Sequence, residues 1–392
     1  MSWQIQPQLD QLRQDDLWRE LRVLDSPQGS VLEFAGRSYL NFSSNDYLGL
    51  AASAEIKAAL QEGVERFGAG SGASRLVCGS MRPHADLEAA LAEFKGTEAA
   101  LTFSSGFAVP LGTLPALLGA GDTIIVDKLS HACLVDAAKL SGATLRVFPH
   151  NHLEKLERLL QTAQGRVLVV TESIFSMDGD AALLPEIVEL KDRYGAWLLL
   201  DEAHAVGVLG PQGRGLAASL GLEGRVDLQM GTLSKAFGLS GGYLAASRQV
   251  IDLLINRARS FIYTTAPPPC LAHAAMAALN LIRGAEGDLR RALLQEHVQQ
   301  VQSSLGLRHE SGSAILPLIL GDEEAALSAS AALREGGLMV PAIRYPTVAR
   351  GSARLRVTLS AGHQREQVET LIGQLKGLLG NSSMGHRHPA CV

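Results

Sequence analysis

Apolar positions along the chain alternate between two spacings. Between residues 83 and 201, AALTF, TIIVD, TLRVF, VLVVTES and WLLLDEA are short, dense apolar runs that predict strands. Between them PHADLEAALAEFKG, GFAVPLGTLPALL, SHACLVDAAKLSG, HLEKLERLLQTA and LPEIVELKDRYG carry apolar residues at helical spacing. Pro185 in the first turn of the last helix and Gly195 just past its end bracket it. Strands separated by single helices predict βαβ units in a mostly parallel sheet. VLVV and WLLL are apolar on both faces, so helices are expected to cover each side of that sheet.

The flanks read differently. Residues 4–22 predict an amphipathic helix with Ile5, Leu9, Leu12, Leu17 and Leu21 on one face. SAEIKAALQEGVERFG predicts a second, with Ser53 as its N-cap and Ile56, Leu60, Val64 and Phe67 at helical spacing. After about residue 250 longer helices dominate, PPP at 267–269 marks a break, and AILPLIL and ARLRVTL flank one more helix. The expected division is a helical arm over 1–45, a large α/β domain over 46–250, a smaller α+β domain over 251–380 and a disordered tail over 381–392.

Composition narrows the function classes. A chain of 392 residues with 46% hydrophobic and 19% charged residues is globular rather than disordered. Its net charge of −5, without any Lys/Arg-rich block, argues against nucleic acid as a partner. The first residues carry acids and no apolar core, and apolar runs such as WLLL are too short to span a bilayer, so no membrane role and a cytoplasmic location are expected. Cys78, Cys133, Cys270 and Cys391 form no CxxC, so neither a metal site nor a disulfide framework is expected.

Ligands of open α/β sheets sit beyond the carboxyl ends of the strands. The polar residues there are Ser104, Ser105 and Gly106 after ALTF, Asp127 with SHAC beyond it, Glu172 and Ser173, Asp201 with Glu202 and His204, and Thr232, Ser234 and Lys235 after DLQM. SSGF offers backbone N–H groups at a helix start, suited to a phosphate. An acid leaving a buried strand suits a cationic ring nitrogen. Lys235 sits in GTLSKAFG among small residues with no acid nearby, where an amine can form a Schiff base. A phosphate cradle, a ring-pairing acid and an isolated lysine are the needs of pyridoxal 5'-phosphate. FGAGSGASR follows a helix and lacks the GxGxxG spacing, and MDGD lacks the rest of a calcium loop, so neither competes.

NFSSNDYLGL, GSGASRLVCGSMRPHADLE, SSGFAV, DKLSHACLVDA, ESIFSMDGD, DEAHAVGVLG, GTLSKAFG and PAIRYPTVARGSARLRVTLSA run in order through nearly the whole chain. In these motifs the chain resembles the α-oxoamine synthases, pyridoxal-phosphate enzymes of the aspartate-aminotransferase fold. The resemblance implies a decarboxylative condensation of L-alanine with a pimeloyl thioester, on coenzyme A or an acyl-carrier protein, by a homodimer. It implies that Lys235 holds the cofactor and moves the Cα proton, Asp201 pairs with the pyridine nitrogen, His204 lies near the phenolic oxygen and His131 covers the ring. It places Gly106, Phe107, Thr232 and Ser234 at the phosphate end and Ser176 against the cofactor. Arg356 is implied to hold the amino acid's carboxylate, with Arg19, Asn45, His131 and Thr347 at substrate-contact positions. TLSKAFG also occurs in relatives acting on other amino acids, which leaves a glycine C-acetyltransferase, a transaminase or a non-catalytic partner subunit as alternatives.

Overall fold

The computed structural model describes residues 3–15, 17–308 and 310–381. The expected tail, with His386, His388 and Cys391, lies outside the described residues beyond 381. The first helix is Gln6–Gln14, shorter than the pattern over 4–22 predicts, and none of its residues is buried. Leu21, meant to extend the apolar stripe, is 98% exposed. A short helix gains most of its stability from a buried face, and this one has none to propagate it. Within the stretch expected as a helical arm, the chain instead forms a hairpin of β1 (Val31–Phe34) and β2 (Arg37–Asn41).

The alternation between residues 83 and 201 folds as expected. The sheet contains β3 (Ala99–Phe103), β4 (Thr123–Asp127), β5 (Thr144–Phe148), β6 (Val167–Glu172), β7 (Trp197–Asp201), β8 (Leu228–Thr232) and β9 (Gly242–Ala246). Their spatial order is β3-β9-β8-β7-β6-β4-β5. β9 runs antiparallel to both its neighbours, and the β4–β5, β4–β6, β6–β7 and β7–β8 pairs are parallel. Alternate residues feed two apolar layers. Ile125, Val169, Leu198 and Leu200 join one, and Ile124, Val126, Leu168, Val170 and Leu199 the other. Each such fully buried aliphatic side chain contributes about 1.5–3 kcal/mol, so both faces tie the sheet to its helices.

β9 comes from the glycine run after Lys235. A Cβ on Gly242 would lie 2.7 Å from the Cα of Gly106, so only glycine lets this strand pass beside the turn that follows β3. The later part of the chain adds β10 (Ile315–Gly321), β11 (Leu338–Met339), β12 (Ala342–Ile343) and β13 (Ala353–Thr358). The order β10-β13-β12 forms an antiparallel sheet, and β11 pairs in parallel with β2. The PPP break opens the helix Pro269–Arg283, and the helix Ala54–Phe67 begins with Ser53 Oγ accepting from the Ile56 N–H, as expected. No helix among the described residues is long and apolar enough to cross a membrane.

Candidate active site

The carboxyl ends of β3, β6, β7 and β8 deliver the polar rim. At β3, Ser105 Oγ accepts from the Ala108 N–H at 3.1 Å, at the first residue of the helix Ala108–Leu117. The N–H groups of Gly106 and Phe107 donate to no other group among the described residues. A Cβ on Gly106 would lie 3.2 Å from Thr232 Oγ1, which is itself 2.7 Å from Ser234 Oγ. Two hydroxyls and two open N–H groups therefore gather at one helix start, a ready site for a phosphate.

At β7, Asp201 is buried, and its Oδ1 accepts from the Ala203 N–H at 2.9 Å. Burial pushes its pKa up, against the lowering pull of the Lys235 charge. A carboxylate so placed gains from a cation brought beside it. β6 and β7 set Glu172 directly against Asp201 in register, and Glu172 accepts the backbone N–H of His131 at 2.5 Å. Burial raises Glu172 to about 8, and the Asp201 charge adds to the rise.

Lys235 Nζ lies 2.8 Å from His204 Nε2, and the Tyr47 hydroxyl meets His204 Nδ1 on the other side. Burial and the nearby Lys235 charge hold His204 well below its usual pKa, so the imidazole is neutral. Lys235 is half-buried. Burial lowers the pKa of its amine, while Asp201 and Glu172 oppose that shift. His131 presents an exposed ring, edge-on to Phe107 at 6.4 Å between centroids. Its Nδ1 faces the Cys133 thiol at 2.9 Å and accepts the Cys133 N–H at 3.2 Å. A nitrogen that accepts cannot carry the proton, so Nε2–H is the outward donor of the neutral ring.

Arg356, on β13, crosses to the same site. Its Nε donates to the Ser176 carbonyl at 2.6 Å, Nη1 to Thr358 Oγ1 at 2.9 Å and Nη2 to Asn45 Oδ1 at 3.1 Å. Arg19 and Thr347 stand apart from this hydrogen-bonded group. They line a pocket of about 450 Å³ with Trp18, Pro341, Arg344 and Tyr345, joined to the site through the Arg356 N–H, which donates to the Pro341 carbonyl at 3.0 Å.

The family described as aminotransferase class I and II matches residues 37–375. The 8-amino-7-oxononanoate synthase of Herminiimonas arsenicoxydans is 48% identical over 94% of this chain and 97% of its own. The chain belongs to the 8-amino-7-oxononanoate synthase family. Among solved structures, the 8-amino-7-oxononanoate synthase of Francisella tularensis aligns with a TM-score of 0.73 at 28% identity, over 87% of this chain and 98% of that one. A serine palmitoyltransferase from S. paucimobilis, determined with bound PLP and myriocin, aligns with a TM-score of 0.90 at 29% identity, over 95% and 97%.

Members of this family are pyridoxal-phosphate-dependent acyltransferases. The residues here fit that cofactor. They offer open N–H groups at Gly106 and Phe107, a buried carboxylate at Asp201 that gains from a cation, and an amine at Lys235 whose charge burial disfavours. Three partners escaped the motif reading. Tyr47 behind His204, Cys133 behind His131 and the clasp of Ser176 on Arg356 are all contacts that only the folded chain makes. Glu172 was visible as a strand end, but its register with Asp201 was not.

Proposed function

We propose that the chain condenses L-alanine with a pimeloyl thioester, releasing carbon dioxide and the thiol carrier and forming 8-amino-7-oxononanoate for biotin biosynthesis. The observation that carries the reading is the convergence of Lys235, His204, Asp201 and Arg356 from three separate segments at one sheet edge. Pyridoxal phosphate, when bound, supplies an electron sink for the Cα carbon of the amino acid.

The chain's own residues do the rest. Lys235 would hold the cofactor through its amine and, once the alanine amine had displaced it, would take and return the proton at the alanine Cα. Asp201 keeps a proton on the pyridine nitrogen, since a buried carboxylate beside a cation favours the charged pair. Neutral His204, backed by Tyr47, gives and accepts hydrogen bonds beside the phenolic oxygen. His131 would cover the ring, and its Nε2–H would be available to the acyl oxygen as charge develops there. The N–H groups of Gly106 and Phe107 and the hydroxyls of Thr232 and Ser234 bind the phosphate, and Ser176 borders the cofactor. Arg356, set by Asn45, takes the amino acid's carboxylate, a match for its planar fork. Arg19 and Thr347 line the way for the acyl chain. The carrier is coenzyme A or an acyl-carrier protein, and the enzyme works as a homodimer.

Mass analysis after incubation with alanine, glycine or serine, each with pimeloyl-CoA or acetyl-CoA, tests this reading. The expected product is 8-amino-7-oxononanoate, from alanine and pimeloyl-CoA alone. An aminoketone from glycine and acetyl-CoA at a higher rate replaces the reading with a glycine C-acetyltransferase.

A further inference from the structure

β13 places Arg354 and Arg356 two positions apart, so both side chains leave the same face of the strand. Each residue is 5% exposed, and both reach the turn 176–180 that follows β6. Arg356 Nε takes the Ser176 carbonyl, while Arg354 Nη1 takes Asp178 Oδ1 at 2.6 Å and the Met177 carbonyl at 3.3 Å. Arg354 Nε returns to its own strand end through the Ser352 carbonyl at 3.0 Å.

The far side of the turn is also held. The Phe175 N–H donates to the Asp180 carbonyl at 3.0 Å, and the Gly179 N–H to the Phe175 carbonyl at 2.8 Å. His150 Nε2 meets Asp180 Oδ2 at 2.7 Å, and its Nδ1 meets both oxygens of Asp127 at 3.2 Å, tying the turn to the end of β4. The turn is therefore anchored to the large sheet by His150 and to β13 by Arg354. The carbonyl that sets the Arg356 fork lies two residues before Asp178, at the start of the same turn.

We propose that Arg354 is a positioning residue for Arg356: by clasping the turn 176–180 through Asp178, it fixes the Ser176 carbonyl against which the Arg356 guanidinium is set, and so governs affinity for the amino acid's carboxylate without touching it. The proposal rests on the reading of Arg356 as the carboxylate site. A planar fork binds a carboxylate well only in a narrow range of orientation, and a site holds that range when neighbouring bonds lock its rotamer. Loss of the clasp leaves the guanidinium in place but lets its plane drift with the turn. A lysine at 354 keeps the charge but cannot present the planar guanidinium that bonds Asp178, Met177 and Ser352 here.

The cofactor-loaded full chain is compared as wild type, Arg354→Met, Arg354→Lys, Asp178→Asn and Arg356→Ala. The affinity for alanine is read from the visible spectrum, and KM for pimeloyl-CoA from thiol release. Amide hydrogen exchange over residues 174–181 is measured on the cofactor-free chain. Arg354→Met is expected to weaken alanine about tenfold, within the range by which residues of one hydrogen-bond network couple. Cofactor retention and the KM for pimeloyl-CoA stay within about twofold, because in this reading Lys235, Asp201 and the phosphate turn hold the cofactor, Ser176 only borders it, and the pocket of Arg19 and Thr347 lies outside the clasp. Arg354→Lys and Asp178→Asn fall between, and exchange at Phe175 and Gly179 accelerates in the same rank order. The proposal is overturned if alanine affinity is unchanged in Arg354→Met while Arg356→Ala is impaired. It is equally overturned if both substrates and the cofactor weaken together, which marks a general structural loss. An unimpaired Arg356→Ala sinks the carboxylate reading itself, and this proposal with it.

Discussion

Lys95 and Glu202 form a salt bridge between two side chains that are essentially out of solvent. Lys95 Nζ also donates to the Arg214 carbonyl, and Glu202 Oε1 accepts the Ala217 N–H at 3.0 Å. A Cβ on Gly215 would lie 2.5 Å from Glu202 Oε1, so the backbone is wrapped closely around the carboxylate. Lys95→Met removes the cation and leaves Glu202 with its charge, one backbone donor and no exposure to solvent. Breaking such a pair from one side costs about 3–5 kcal/mol. With an unfolding entropy of about 2.1 cal/mol/K per residue, the 392-residue chain converts that to a fall in Tm of about 4–6 °C. The paired change Lys95→Met with Glu202→Gln removes both charges and keeps the acceptor for Ala217, so it is expected to recover more than half of the loss. Differential scanning calorimetry of wild type, both single variants and the double variant at one pH closes the cycle. Because Glu202 directly follows Asp201, the single variant is also expected to lower cofactor retention before the chain unfolds. A Lys95→Met protein that melts within about 1 °C of wild type, or a double variant no better than the single, refutes the account of a trapped charge.

Lys235→Ala is expected to retain the cofactor without a covalent bond and to release no thiol from pimeloyl-CoA with alanine, since loss of a general base alone costs about 10²–10⁴-fold. Thiol release at the wild-type rate would return Lys235 to an ordinary loop. Asp201→Asn should slow exchange of the alanine Cα proton in deuterated buffer by at least about 10²-fold with cofactor still bound, and an unchanged exchange rate removes Asp201 from that role. His150 sits between Asp127 and Asp180; burial lowers its pKa, but the two carboxylates outweigh that and lift it from 6.5 to about 10. Its folded pKa lies above the unfolded one, so its stabilisation is fully present below about pH 6.5 and is lost as pH rises through about 10. The urea midpoint of His150→Gln is therefore expected well below wild type at pH 6 and to converge on it by pH 10.5, and a constant difference across that range contradicts the ion-cluster account.

The parts of this fold legible in the sequence are those that one element specifies alone. AALTF and TIIVD match β3 and β4 residue for residue, because a strand buried on both faces must be apolar throughout and must end where its polar rim begins. The same logic exposed Asp201, Glu172 and Thr232 as rim residues before any pairing was known. β9 was missed because GGYLAA opens on two glycines, and the close approach of Gly106 rather than a strand's own preference dictates Gly242. The helix over 4–22 was overdrawn for the opposite reason. Its spacing is right, but periodicity promises only a face able to be buried, and the fold among the described residues gives that face nothing to cover.

The chemistry divides along the same line. A residue type announces what it can do, but its pKa and aim are set by partners far away in the chain. Arg356 is an arginine in a strand until Asn45, 311 residues earlier, and Ser176 fix its fork. His204 is one histidine among 11 until the phenol of Tyr47, 157 residues away, backs it and burial strips its charge. Such contacts follow from the register of β6 on β7 and from the seating of β13 against the turn after β6. Both are set by the summed packing of two apolar layers rather than by any local pattern. A lysine among glycines therefore identifies where the reaction is centred, whereas the orientation of each surrounding group is a property of the whole sheet. Substitutions far from Lys235, such as those at Lys95 or His150, are accordingly the sharper tests of how the site is held.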